Sequence, residues 1–199
     1  MENQGILEKV EYSEWASPIV PVLKPNGEIR ICGDFKVTIN TQLDVPEHPL
    51  PVPDDLLAML NGGQSFSKID LSQAYTQVEL DEKSREFVVI NTHLGLFRYT
   101  RLPYGVASAP AIFQSIMDKI LQGLDVPCLL DDILIAAENP SENLKLLTKV
   151  IQRLEKHGLK ARKSKCFFLK DSVEYLGHII DAKGIRPSKA NVRSVLEAK

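Results

Sequence analysis

Between Val126 and Ala137 the chain reads VPCLLDDILIAA, two apolar blocks interrupted by Asp131 and Asp132. Short apolar runs rich in Leu and Ile, bounded by a break, read as buried strands. Burying an unpaired carboxylate is costly, so the break must fall where the aspartates can be compensated. The simplest arrangement is strand, turn, strand, with both carboxylates at the rim of a sheet. Two readings of that turn stay open. Asp is a common turn former, and an acidic pair on a sheet rim is also a seat for a cation. The chain carries its own control, because Asp54 and Asp55 form a second acidic pair directly after Pro53, at the start of a predicted short helix. There the carboxylates answer the free amides and the dipole of a helix N-terminus. Asp131 and Asp132 have no such explanation.

A third carboxylate bears on the choice. The alternating segment QSFSKIDL predicts a strand that ends near Asp70. If that strand neighbours the first, three carboxylates meet at one sheet edge. Close like charges raise one another's pKa, and divalent cations relieve the repulsion. Oxygen donors with open positions suit Mg²⁺. Two such ions roughly 4 Å apart can activate one oxygen and stabilise a leaving one in an in-line phosphoryl displacement.

The remaining pattern is mixed. SPIVPVLKPNGEIRICGDF predicts two strands joined at PNG, and FVVINTHLGLFRYTRL and VEYLGHIIDAKG predict hairpins. TQLDVPEHPLPVPDD reads as an irregular traverse. Helices are expected over PDDLLAML, stopped by Gly62 and Gly63, and from Pro110, with Phe113, Met117 and Ile120 on its apolar face. A further helix is expected from Pro140 to Gly158 behind an Asn139 cap, and a last one over SKANVRSVLEA. This order gives an α+β fold with an antiparallel sheet, not a βαβ alternation.

The 199 residues, 44% of them hydrophobic and 25% charged, suffice for one or two globular units. A net charge of −2 does not by itself point to nucleic acid. One stretch, RLEKHGLKARKSKCFFLK, is distinctly basic; it either pairs with phosphates or faces solvent. Cys32, Cys128 and Cys166 show no disulfide or zinc spacing with each other or with the histidines, which favours reduced thiols in an intracellular, cytoplasmic setting. No apolar run is long enough to span a bilayer, so no membrane partner is expected, and the start MENQGILEKV is no signal peptide. No Gly-rich phosphate loop is present.

Four segments occur in a telling order: FSKIDLSQAYTQVEL, RYTRLPYGVASAPAIFQ, LLDDILI and YLGHII. Together they resemble the reverse transcriptases in pol polyproteins of gypsy-type LTR retrotransposons, over nearly the whole chain. The resemblance implies a right-hand polymerase fold, a palm with an antiparallel sheet plus fingers. The fingers would take residues 1–60 and 80–105 and the palm 61–79 and 106–180, with 181–199 opening a thumb or connecting region. Thumb, RNase H and integrase regions of a parent polyprotein would lie outside the chain.

The implied activity is RNA-directed DNA polymerisation: addition of dNTPs to a primer 3′-hydroxyl on an RNA or DNA template, with two Mg²⁺ ions (Mn²⁺ as a substitute). Asp70, Leu71, Asp131 and Asp132 are the implied metal set, with Asp70 and Asp131 principal and Asp132 more peripheral. Lys165 is the implied general acid for pyrophosphate, with Lys163 a near neighbour. Tyr75 resembles a steric gate against the ribose 2′-hydroxyl. Leu71, Ser72, Gln73 and Ala74 offer backbone amides to the triphosphate. Lys24 and Arg30 would clamp its phosphates, and Tyr104 would help form the dNTP pocket.

Template and primer contacts are implied for Asp34, Asn40, Gly105, Gln114, Leu129, Leu176 and Gly177, although Asp34 and Asn40 also read as braces of the fingers hairpin. Leu176, Gly177 and His178 resemble a primer grip. One position departs from the family: Leu129 stands where an aromatic residue, most often Tyr, is usual. The implied partners are an RNA template, a DNA primer, their RNA–DNA hybrid and dNTPs, with work in the cytoplasm or a retroelement particle. The rival reading is a decayed or host-retained module that binds nucleic acid or protein without synthesis.

Overall fold

The computed structural model describes residues 1–23, 27, 29–44 and 48–197, without the side chains of 190 and 194–196. In chain order β1 (Leu7–Val10) precedes β2 (Ala16–Leu23) and β3 (Ile29–Gly33). The last two pair antiparallel from Ile19↔Gly33 to Leu23↔Ile29, the hairpin that the PNG segment predicts. α1 (Pro53–Ala58) starts with proline in its first turn and Asp54 and Asp55 beside its free amides, as the dipole argument requires. It stops at Ala58, short of Gly62 and Gly63, with Met59 as its C-cap.

Next come β4 (Ser65–Asp70), the single-turn α2 (Glu82–Arg85), and the hairpin of β5 (Val89–Thr92) and β6 (Gly95–Tyr99). α3 (Ala109–Leu121) is followed by β7 (Cys128–Leu129), β8 (Asp132–Ala137) and α4 (Pro140–Lys156). The Asn139 side chain accepts the Glu142 N–H at 3.0 Å and so starts α4 where the sequence places its cap. The chain then forms β9 (Phe167–Lys170), β10 (Ser172–Tyr175), β11 (His178–Asp181), β12 (Gly184–Pro187) and α5 (Lys189–Glu197).

These elements form two units. The first comprises residues 1–49 and 73–115. Its five-stranded sheet has the order β1-β6-β5-β2-β3, antiparallel except where β2 runs parallel to β5 over Ala16–Pro18. Pro18 and Pro21 sit inside β2, which is tolerable because β2 uses β5 at one end and β3 at the other. The core holds Phe35, Ile90, Phe97, Tyr99 and Leu102.

The second unit comprises residues 50–72 and 116–199. Its four-stranded sheet, order β7-β8-β4-β9, is antiparallel throughout. α4 covers it with Leu147, Val150 and Leu154, and buries one polar residue, Asn143. The Ser67 hydroxyl donates to Asn143 Oδ1 at 2.6 Å, and Asn143 Nδ2 donates to the Ser65 carbonyl at 2.7 Å. The Leu169 N–H of β9 donates to the same Ser67 hydroxyl at 3.0 Å. One hydroxyl thus joins a helix and an edge strand to β4. A separate antiparallel sheet, β10-β11-β12, extends the predicted two-stranded hairpin by a third strand, and Val173, Tyr175 and Ile180 carry it into a core with Leu56, Leu60, Phe66 and Leu134.

Candidate active site

The acidic edge is built by register. β4 and β8 pair residue for residue from Ser65↔Ala137 to Asp70↔Asp132, so these two aspartates face each other across the ladder. β7 and β8 form a tight hairpin with Leu129 opposite Asp132, leaving Leu130 and Asp131 as its turn. Leu130 takes φ 54°, a left-handed conformation that costs a branched side chain about 1–2 kcal/mol. Such strain persists only where the surroundings impose it, and here it holds Asp131 at the tip. The Asp131 carbonyl accepts the Leu71 N–H at 2.9 Å, fastening that tip to the residue after Asp70.

Directly opposed like charges destabilise a sheet unless compensated. Two lysines compensate them here. Lys165 Nζ lies 3.1 Å from Asp70 Oδ2, and Lys68 Nζ lies 2.9 Å from Asp132 Oδ2. Lys165 arrives because the basic stretch runs alongside the end of β4. Leu71 bridges Ala161, the Arg162 N–H donates to the Asp70 carbonyl at 2.8 Å, and the Ser72 N–H donates to the Lys160 carbonyl at 2.8 Å. A short helical turn, Lys163–Lys165, then presents Lys165 to the carboxylate. Of the two lysines weighed from sequence, Lys165 is the one on Asp70.

Burial pushes the Asp131 carboxyl up, and the neighbouring Asp132 and Asp70 push it further, against the pull of Lys165. The donor set therefore fits a hard dication in kind: all its side-chain donors are carboxylate oxygens, and one carboxyl is raised by burial and by the two carboxylates beside it. The side chains are not gathered round one point, however. Among the described residues no three Asp, Glu, His or Cys side chains stand as a ready ligating group, and Asp132 is committed to Lys68. Lys68 is the residue that the sequence reading missed. The signal was the alternation of SFSKID, which puts Lys68 on the same strand face as Asp70.

The other expected residues of this unit fall into two groups. Leu129, expected to touch the primer, is half-buried and packs against the core that holds Leu134 and Tyr175. Leu176 (φ 48°) and Gly177 (φ 73°) form the β10–β11 turn, with Leu176 packed on the same core and His178 Nδ1 2.9 Å from the Leu176 carbonyl. The amides of Leu71 and Ser72 are spent on Asp131 and Lys160, which withdraws them from the triphosphate role expected of them.

In the first unit a separate group assembles. Gln73 takes φ 47° and leads into a short helical turn, Ala74–Gln77. The Tyr75 ring packs 4.9 Å from the Tyr104 ring and 5.5 Å from that of Phe113. The Arg30 guanidinium lies over Tyr104, 4.3 Å from its centroid, within cation–π range. Arg30, Tyr104 and Tyr75, expected to share a nucleotide pocket, thus touch in succession, with the two tyrosine rings tilted at 38° to each other. Lys24 lies outside the described residues.

Asn40 braces: its Nδ2 donates to the Gly105 carbonyl and its Oδ1 accepts the Ala107 N–H, both at 2.9 Å. Gly105 (φ 103°) must be glycine, because a Cβ there would lie 2.4 Å from the Gly33 carbonyl oxygen. Asp34 is half-buried, and its N–H donates to the Pro18 carbonyl at 2.8 Å. Gln114 is fully buried, which gives its amide to the interior and corrects the expectation of a groove contact.

Comparison with known proteins agrees with this architecture. Residues 22–180 match the family model described as reverse transcriptase (RNA-dependent DNA polymerase). An uncharacterized protein of Caenorhabditis elegans is 39% identical over 202 residues, covering 100% of this chain and 16% of its own length. The retrovirus-related Pol polyprotein from transposon 297 of Drosophila melanogaster is 33% identical over 204 residues, covering 98% of this chain and 19% of its own. The chain thus spans less than a fifth of these relatives. Among solved structures, the dRH form of the foamy viral protease-reverse transcriptase in complex with double-stranded DNA superposes with a TM-score of 0.93 at 26% identity, over 100% of this chain and 35% of that one. The same protein in complex with an RNA/DNA hybrid gives 0.89 at 26% identity, over 100% and 27%. A match over four-fifths of the chain, with the paired aspartates on adjacent strands of one sheet, makes this chain a member of the reverse transcriptase (RNA-dependent DNA polymerase) family.

Proposed function

We propose that the chain supplies the fingers and palm of an RNA-directed DNA polymerase of LTR-retrotransposon type, adding dNTPs to a primer 3′-hydroxyl on RNA or DNA. The observation that carries this is the facing of Asp70 and Asp132 in register, with Asp131 held at the adjoining tip by the Leu71 amide. Asp70 and Asp131 are the side chains to hold the metals. When bound, two Mg²⁺ ions, or Mn²⁺ in their place, supply the charge that acidifies the primer hydroxyl and neutralises the departing pyrophosphate. The second unit holds most of the palm expected over 61–79 and 106–180, and the first most of the fingers expected over 1–60 and 80–105.

The chain's own residues do the rest. Arg30 meets triphosphate oxygens with a planar fork that lysine lacks. The Gln73 and Ala74 amides take the anion-binding role that Leu71 and Ser72 have given up. Tyr75, anchored by Tyr104 and Phe113, excludes a 2′-hydroxyl by volume. Lys165 exchanges its carboxylate partner for the leaving phosphate and delivers a proton to it. Solved relatives carry double-stranded DNA and RNA/DNA hybrid, and the matching partner here is a duplex gripped by backbone and shape.

Primer extension on poly(rA)/oligo(dT) at low salt, with protein in excess, tests the reading. Extension should require Mg²⁺ or Mn²⁺, and Tyr75→Ala should lower discrimination against ribonucleotides by at least about tenfold. An unchanged dNTP/rNTP ratio would remove Tyr75 from the gate. One observation favours a silent module instead: Leu129 serves packing where the family usually carries an aromatic. Duplex binding without metal-dependent extension would establish that alternative.

A further inference from the structure

We propose that Lys68 is a positioning residue: it keeps Asp132 as a standing ion pair and so withholds that carboxylate from the metals, leaving Asp70 and Asp131 to hold them. This rests on the polymerase reading of the acidic edge.

The register explains why Lys68 reaches Asp132. Lys68 pairs with Leu134 and Asp70 with Asp132, so the lysine lies two residues back on the face that carries the carboxylates. A long side chain spans that diagonal. Its ammonium ends 2.9 Å from Asp132 Oδ2, and the two side chains are only 17% and 30% exposed. A second partner holds it from the next sheet of the same unit. The ammonium lies 5.9 Å from the centroid of the Tyr175 ring, and Tyr175 is 1% exposed. Lys68 itself stands within β4, an inner strand paired to β8 on one side and β9 on the other. Its backbone is therefore held by ladders on both sides.

Lys165 offers the contrast. It is paired to Asp70 in a similar way, but its side chain is 57% exposed and it stands on a single helical turn. An exposed lysine on a turn can leave its carboxylate when a cation or phosphate arrives. Lys68 has no comparable exit, because its own side chain is enclosed and it stands on an inner strand, not on an exposed turn. The two lysines therefore divide the aspartates. One pair opens on loading and frees Asp70. The other stays closed, so that two of the three carboxylates face the metals and the third stabilises the ladder.

The test is Mn²⁺ binding to the whole chain, read by electron paramagnetic resonance without nucleotide or duplex, for Lys68→Met, Lys68→Arg, Asp132→Asn, Asp131→Asn and the Lys68→Met/Asp132→Asn double variant. Lys68→Met should tighten Mn²⁺ binding about tenfold, the scale of one added unit charge near a partly solvated cation. That gain should disappear in the double variant, and Lys68→Arg should bind as the parent does. Unchanged affinity in Lys68→Met, or a gain that persists without the Asp132 carboxylate, overturns the proposal. Should Lys68→Met fail to fold by circular dichroism, the single aspartate variants decide. Asp132→Asn should weaken binding far less than Asp131→Asn, and equal losses overturn the proposal. Mn²⁺ binding that survives Asp131→Asn is a different result, because it overturns the metal reading on which the proposal stands.

Discussion

Asp131 shows how much one residue's position depends on its neighbours' backbone. It projects because Leu130 accepts a left-handed conformation and because its own carbonyl is bonded to the Leu71 amide. The acidic pair was legible in the sequence; the strain beside it was not, since nothing in CLLDD marks Leu130 as the residue that bends. Lys68 was hidden for a related reason. A lysine in a strand reads as solvated until the partner strand's register is known, and register is a long-range property. Gly105 is a site where the backbone alone decides. Gly105→Ala should cost about 2–4 kcal/mol in urea unfolding, because a methyl group would meet the Gly33 carbonyl and the positive φ forbids an easy escape. A loss under about 0.5 kcal/mol would show that the loop relaxes freely.

The elements with local signals were legible, and those stabilised only by partners were not. α4 declares itself through its Asn139 cap, Pro140 and a spaced apolar face. β9 was concealed inside the basic stretch, because FFLK pairs with β4 irregularly and is exposed along its length, which leaves no alternation to read. β1 and β12 are four residues each and take their conformation from the strands they join. The junction of α4, β4 and β9 on Ser67 and Asn143 was equally invisible. Asn143→Ala removes the acceptor of the buried Ser67 hydroxyl and a donor to the Ser65 carbonyl, and thermal or urea unfolding should register about 2–4 kcal/mol of lost stability.

α2 gives a pH-dependent case. Hydrogen bonds from the Ser84 hydroxyl and N–H hold the Asp81 carboxyl below its ordinary value of 3.8. A group depressed on folding stabilises above its unfolded pKa and loses that contribution as pH falls through the folded one. The thermal midpoint of Asp81→Ala should therefore lie below that of the parent at neutral pH, and the gap should narrow in acid below the ordinary Asp range. A gap that widens in acid would reverse the assignment.

At the scale of the molecule, the chain enters each unit more than once. Residues 50–72 leave the first unit to build part of the second, and residues 73–115 return before the chain leaves again at Ile116. No composition change marks these crossings, and the last falls inside α3, which is why unit boundaries were harder to read than family. The four motifs that revealed the family are distributed across both units, so they record a shared ancestry of the whole arrangement more clearly than any one boundary. The most direct test is single-nucleotide extension of an oligo(dT) primer on poly(rA) with Mg²⁺, run for the parent and Asp131→Asn while binding of the same hybrid is followed by fluorescence anisotropy. Extension should fall to background in Asp131→Asn with hybrid binding retained. Extension at the parent rate by Asp131→Asn would contradict the assignment of the acidic edge as the polymerase centre.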